Sequence, residues 1–121
     1  MKREKSILLE KSEVFSGRIV RMYQYLTSQK KEFVMSRQVL RSGTSIGANI
    51  AESRNAQSTA DFIHKLSIAL KESDETLFWL KSLYNGNYLN EKEFDSIHTD
   101  AEELVKMLVS SINTLKKKYQ I

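Results

Sequence analysis

The chain has 121 residues, no cysteine, two histidines and nineteen Lys or Arg, so a reactive site must be built from hydroxyls, carboxylates, imidazoles or cations. Gly43-Thr44-Ser45-Ile46-Gly47 matches the G-x-S-x-G elbow of serine hydrolases. That chemistry needs a strand feeding a strained turn and a base beside the serine. No convincing strand precedes Gly43, and only His64 and His98 are available as bases, so the match is read as empty. Asp61-x-x-His64 and Asp95-x-x-His98 have the carboxylate–histidine spacing of di-iron bundles, with Glu13 and Glu52 as conceivable further carboxylates. Both pairs fall near the starts of successive antiparallel helices, at opposite ends of one subunit, and cannot share a metal there. The expectation is a non-enzymatic protein with no catalytic residue, no metal and no cofactor.

Cations are the stronger candidates. Lys11, Arg18 and Tyr25 recur every seven residues with Arg21 beside them, and Arg37 and Arg41 lie one helical turn apart in the next segment. Basic side chains with an interleaved tyrosine can neutralise phosphates and offer a stacking platform, so these six residues are the predicted nucleic-acid surface. Net charge is +4 but uneven. Residues 1–60 carry eleven Lys/Arg against five Asp/Glu, whereas residues 61–121 carry eight against ten. An anion-facing first half gives such asymmetry, and so do complementary helix or subunit faces. The lysine run 116–118 suits the end of a helix dipole as a solvated terminus.

Apolar periodicity supplies the elements that carry these residues: four helices at about 7–28, 36–55, 59–85 and 91–118, in one domain spanning 1–121. Zero proline and four glycines also favour helices. The inward seams read as Leu8, Ser12, Phe15, Ile19, Met22 and Leu26; Val39, Gly43, Ile46 and Ile50; Ile63, Leu66, Leu70, Ser73, Leu77, Leu80 and Tyr84; and Phe94, Ile97, Ala101, Leu104, Leu108, Ser111 and Leu115. Ser58 with Asp61 caps the third helix, and Gly86 is placed to take a left-handed conformation after it. Asn90 with Glu93 forms a capping box, flanked by Leu89 and Phe94, for the fourth. Short connections force neighbours to run antiparallel, which predicts an all-α, up-down-up-down four-helix bundle. Gly43, Gly47 and Ala51 form a strip that admits close approach of another backbone. On the third helix, Ile68, Glu72, Glu75 and Trp79, flanked by Phe78, fall roughly opposite the expected seam. Such a second apolar face predicts a homo-oligomer interface in which the glutamates meet a neighbour's basic groups; a covering loop is the alternative. No apolar run approaches a membrane span and the N-terminus lacks a leader pattern, so a cytoplasmic protein without membrane association is expected.

The segment Arg41-Ser42-Gly43-Thr44-Ser45-Ile46-Gly47-Ala48-Asn49-Ile50-Ala51-Glu52, followed by Asp61-Phe62, Ser67-Ile68-Ala69-Leu70-Lys71-Glu72 and Glu75-Thr76-Leu77-Phe78-Trp79-Leu80, resembles the bacterial four-helix-bundle family of 23S rRNA intervening sequence proteins. The similarity covers nearly the whole chain. Ser53 departs from it, since many relatives have glycine there. The resemblance implies a helical bundle that assembles into a ring, commonly a homopentamer, with no known catalysis. Some relatives are encoded within insertions in large-subunit rRNA genes, and a distantly similar bundle is the accessory protein of diversity-generating retroelements, which contacts a reverse transcriptase and nucleic acid. The implied partners are other copies of the chain, RNA or DNA, and a protein partner. Taken together, the expected function is a non-enzymatic, oligomeric, RNA-associated nucleic-acid-binding bundle. The alternative is a homo-oligomeric interaction scaffold without direct nucleic-acid contact.

Overall fold

A computed structural model describes residues 6–120, which form four helices: α1 Ile7–Ser28, α2 Met35–Ser53, α3 Thr59–Asn85 and α4 Glu91–Tyr119. Their starts follow from side-chain oxygens that satisfy otherwise orphaned backbone N–H groups. Ser6 Oγ accepts from Leu9 N at 3.0 Å and Ser58 Oγ from Asp61 N at 3.0 Å. Asn90 and Glu93 form the reciprocal capping box, both bonds at 2.8 Å. α2 starts differently. The Glu32 carboxylate accepts from Val34 N, Met35 N and Ser36 N at 2.7–3.1 Å, and the Ser36 hydroxyl returns a 2.7 Å bond to the Glu32 carbonyl. α2 stops at Ser53, two residues before the expected Asn55, because the N–H groups of Arg54, Asn55 and Ala56 each bond three residues back and tighten the last turn.

The helices form an all-α bundle in which each packs on its chain neighbours, while α1 and α4 close the circuit more sparsely. Cross-helix pairs run in opposite order along each couple: Lys11 with Glu103 and Arg18 with Asp100, then Arg41 with Glu72 and Glu52 with Lys65. That ordering makes α1 antiparallel to α4, and α2 antiparallel to α3. No helix among the described residues is long and apolar enough to cross a membrane.

The α3 seam is phased differently from the expectation, and the seams of α1 and α4 each depart from it by one buried residue. In α3 the buried row is Ile63, Leu66, Ala69, Ser73, Thr76, Leu80 and Leu83, while Leu70, Leu77 and Tyr84 are half-buried on its flank. In α4, Ile112 replaces Ser111 in the core, and in α1, Leu9 replaces Leu8. In α3, large residues on the flank draw the apolar stripe away from the smaller buried Ala69 and Thr76. The small polar residues at the centre cost little because each hydroxyl returns a hydrogen bond to its own helix: Ser12 to the Leu9 carbonyl at 2.7 Å, Ser73 to that of Ala69 at 2.9 Å. Thr76 donates to the Glu72 carbonyl at 2.8 Å and lies 2.9 Å from the Ser42 hydroxyl of α2.

The glycine strip of α2 admits α1. A Cβ on Gly43 would lie 2.8 Å and 2.9 Å from Ile19 carbons, and one on Gly47 would lie 3.3 Å from Ser12 Oγ. Ala51 is exposed, so the strip is two glycines long: each four-residue step overshoots a full turn and walks the row off the contact. After α3, Gly86 keeps φ −83° and it is Asn87, at φ 66°, that takes the left-handed turn.

Candidate nucleic-acid interface

Sparse packing between α1 and α4 leaves a concave groove of about 440 Å³ near the α1–α2 end of the bundle. Its floor is apolar, from Met22, Leu89 and Ile97, and its rim is polar: Arg18, Arg21 and Tyr25 from α1 face Lys92, Glu93 and Ser96 from α4, with the Glu93 carboxylate engaged by the Asn90 N–H. The seven-residue spacing of Arg18 and Tyr25 puts both on the α1 flank that turns to α4. The antiparallel course of α4 then brings its first turn, with Lys92, to the same place. Arg18 is held by α4: Nη1 donates to Asp100 Oδ2 at 2.6 Å and to the Ser96 carbonyl at 3.2 Å, and Nη2 donates to Ser96 Oγ at 2.9 Å. Arg21 lies back over Gly17, where an added Cβ would meet its Nη1 at 3.3 Å. Among the described residues neither Arg21 nor Lys92 is paired with a carboxylate. Lys30 Nζ stands 5.9 Å above the Tyr25 ring.

The six predicted contact residues therefore do not share one surface. Arg18, Arg21 and Tyr25 meet in the groove. Lys11 lies further along the α1–α4 seam, 2.7 Å from Glu103 Oε1, and its hydrogen bond and charge attraction to that carboxylate raise its pKa. Arg37 is exposed in the first turns of α2, without a carboxylate partner among the described residues. Arg41 points the other way, into the α2–α3 seam. Its Nη1 donates to Glu72 Oε2 at 3.0 Å and its Nη2 donates to Glu75 Oε2, and the hydrogen bond to Glu75 is the main reason its pKa is raised.

That pairing involves two residues of the expected oligomer face. Glu72 and Glu75 meet Arg41 of their own chain, and Trp79 Nε1 donates to Glu75 Oε2 at 3.1 Å. Ile68 and Trp79 are half-buried on the α2 flank instead of opposite the seam, because the buried row of α3 is rotated from the expected one. Phe78 alone of the five is largely exposed, at 61%, and packs edge-on against Trp79 with ring centroids 5.0 Å apart. The outward face of α3 is Lys71, Asp74, Phe78 and Lys81.

The remaining motifs do not assemble. Ser45 lies mid-helix and donates to the Arg41 carbonyl at 2.6 Å, so no strand-to-turn elbow surrounds it. His98 packs on Phe94 and lies 3.1 Å from Glu102 Oε1, and Asp61 accepts from Gln57 N. No cluster of three or more His, Asp or Glu among the described residues is placed to hold a metal. Two participants were not singled out in the sequence. Lys92 could have been found by laying the first turn of α4 beside Arg21; Glu32 carries no helix-start signal, since it precedes the first helical residue by three.

A family model described as 23S rRNA-intervening sequence protein matches residues 4–110. A crystal structure from Bacteroides thetaiotaomicron, described as a protein of unknown function from the S23 ribosomal protein family, is 52% identical with a TM-score of 0.87, over 88% of this chain and 98% of that one. None of the curated proteins matches the chain.

Proposed function

The chain belongs to the 23S rRNA-intervening sequence protein family, and from that premise we propose that it is a non-enzymatic, oligomeric, RNA-associated protein of the cytoplasm that binds nucleic acid through the α1–α4 groove. The observation that carries this reading is the convergence of Arg18, Arg21, Lys92 and Tyr25 on one concavity. Among the described residues Arg21 and Lys92 have no carboxylate partner, so a phosphate can take that place, whereas Arg18 is already oriented by Asp100. A single groove of this size is a weak site. Self-association through the outward face of α3 around Phe78 would repeat it and convert weak contacts into avidity. The ring is proposed as a pentamer by analogy with the family.

A second reading has its own support. Three of the six candidate residues, Lys11, Arg18 and Arg41, already have carboxylate partners within the chain, which favours a scaffold whose charges serve folding and assembly. Anisotropy of a labelled RNA over a salt series separates the two. Under the binding reading, affinity falls steeply with salt, and Arg21→Gln and Lys92→Gln each flatten the slope of log K against log salt by about 0.7–0.9 per lost contact. Arg41→Gln, on the far flank, leaves it unchanged. Absence of binding at low salt in a protein that light scattering shows to be oligomeric establishes the scaffold.

A further inference from the structure

Phe33 and Val34 are the feature of this bundle that neither packing nor the groove explains. They are 53% and 73% exposed in the connection between α1 and α2, yet the turn that carries them is firmly held. Lys31 takes a left-handed conformation at φ 55°, Glu32 N donates to the Leu26 carbonyl at 3.0 Å, and the carboxylate of Glu32, a residue only 7% exposed, collects the first N–H groups of α2. A turn pinned on both sides presents an aromatic ring to water.

Its surroundings are cationic. Lys30 and Lys31 precede it, Arg37 follows one turn into α2, and Arg21 and Lys92 line the groove at the same end. None of these five has a carboxylate partner among the described residues, whereas Lys11, Arg18, Arg41 and Lys65 each contact one; Lys71, Lys81 and Lys106 are likewise without one, but no exposed turn like that of Phe33 lies beside them in sequence. Of the acids at this end, Glu32 and Glu93 are committed to helix starts, leaving Glu91 and Asp95 in the first turns of α4. The Lys30 ammonium above the Tyr25 ring links the turn to the groove.

Resting on the phosphate-binding reading above, we infer that this end of the bundle selects single-stranded over double-stranded nucleic acid, with Tyr25 and Phe33 stacking on unpaired bases and the five unpaired cations following the backbone. A duplex hides its base faces in its own stack and offers nothing to either ring, whereas every unpaired base has a free π face. A base on Tyr25 takes the place of Lys30, whose flexible ammonium moves to the adjoining phosphate. Electrostatics alone would favour the more highly charged duplex, so a single-strand preference reports on stacking.

The test compares a labelled 12-nucleotide RNA of mixed sequence with the same strand annealed to its complement, by anisotropy at fixed salt. The single strand is expected to bind about tenfold more tightly, and Phe33→Ala to remove about that factor from single-strand binding while leaving the duplex unaffected. Tyr25→Phe should retain the preference and Tyr25→Leu lose it; should Tyr25→Leu unfold, the exposed Phe33 decides alone. Equal affinity for both forms with indifferent Phe33→Ala overturns the inference and leaves the phosphate-binding reading standing. Loss of all binding at low salt overturns both. A change of oligomer mass in Phe33→Ala assigns the ring to contact between copies and overturns the stacking role.

Discussion

Between α2 and α3, Arg41 is gripped by two glutamates, one of which also holds the Trp79 indole; between α1 and α4, Lys11 and Arg18 reach Glu103 and Asp100, but Arg21 and Lys92 line an open groove whose one carboxylate, Glu93, is engaged by the Asn90 N–H, and among the described residues neither is paired. The cations are of similar type, and how closely the neighbouring helix approaches each one separates their behaviour. Where α2 lies close to its neighbours, drawn in by Gly43 and Gly47 and by the buried Ser42–Thr76 pair, opposite charges across the seam are within hydrogen-bond distance. Where α1 and α4 stand apart over Met22, Leu89 and Ile97, Arg18 still reaches Asp100, but Arg21 and Lys92 pair with no carboxylate among the described residues. A charge read from sequence acquires a role only when the neighbouring helix is known.

The sharpest way to break this comparison is to push the close side open. Gly43→Val puts a branched side chain where even a Cβ would meet Ile19 at 2.8 Å, inside a fully buried contact. Overpacking of that kind is expected to cost about 1–3 kcal/mol, read as a lower urea midpoint at unchanged m. Gly17→Ala, on the open side, meets only the end of the Arg21 side chain at 3.3 Å. It is expected to be neutral or to stabilise by up to about 1 kcal/mol through helix propensity. Equal losses at the two glycines would mean that α1 is packed alike on both flanks.

These particulars show what the sequence could and could not disclose. The capping box at Asn90 and the serine caps were legible because each is local, within four residues. The α3 seam was misphased because Leu70 and Leu77 outweighed Ala69 and Thr76 in an apolar pattern, although a central position between close helices favours the smaller side chains. Arg18, Arg21 and Tyr25 were legible as one stripe of α1. That Arg41 belongs to a different flank was not, since helical periodicity places a residue on a face without saying which helix that face meets.

The turn at Glu32 offers the next smaller effect, since it fixes where α2 begins. Burial alone would raise the pKa of this carboxyl; the N–H groups of Ser36, Met35 and Val34 and the Ser36 hydroxyl outweigh it and hold the pKa below the ordinary carboxylate value. A depressed folded-state pKa means that the unfolded chain binds the proton more readily. The contribution is therefore complete above the unfolded pKa of about 4.3 and is lost as pH falls through the lower folded value. Glu32→Gln is expected to cost about 0.5–2 kcal/mol at pH 7, the range of a helix cap, and the gap from wild type should narrow below pH 4. A gap that does not change with pH would show that shape, not charge, holds the turn.

The smallest effect tests whether the satisfied charges of the α2–α3 side stabilise that side at all. The Arg41 side chain is half exposed, at 50%, and its partner Glu75 is 36% exposed, so solvent screens the pair. A double-mutant cycle of Arg41→Gln and Glu75→Gln is expected to give a coupling of no more than about 1 kcal/mol, weakening further in high salt. Trp79 provides an independent reading, because Glu75→Gln replaces a charged acceptor of its indole N–H with a neutral one, and Trp79 is the chain's only tryptophan. Its emission should shift in Glu75→Gln and much less in Arg41→Gln. If the coupling instead exceeds about 2 kcal/mol, the cluster is shielded from solvent in the protein as it exists in solution. The nearest large exposed ring, Phe78, would then mark the surface that shields it.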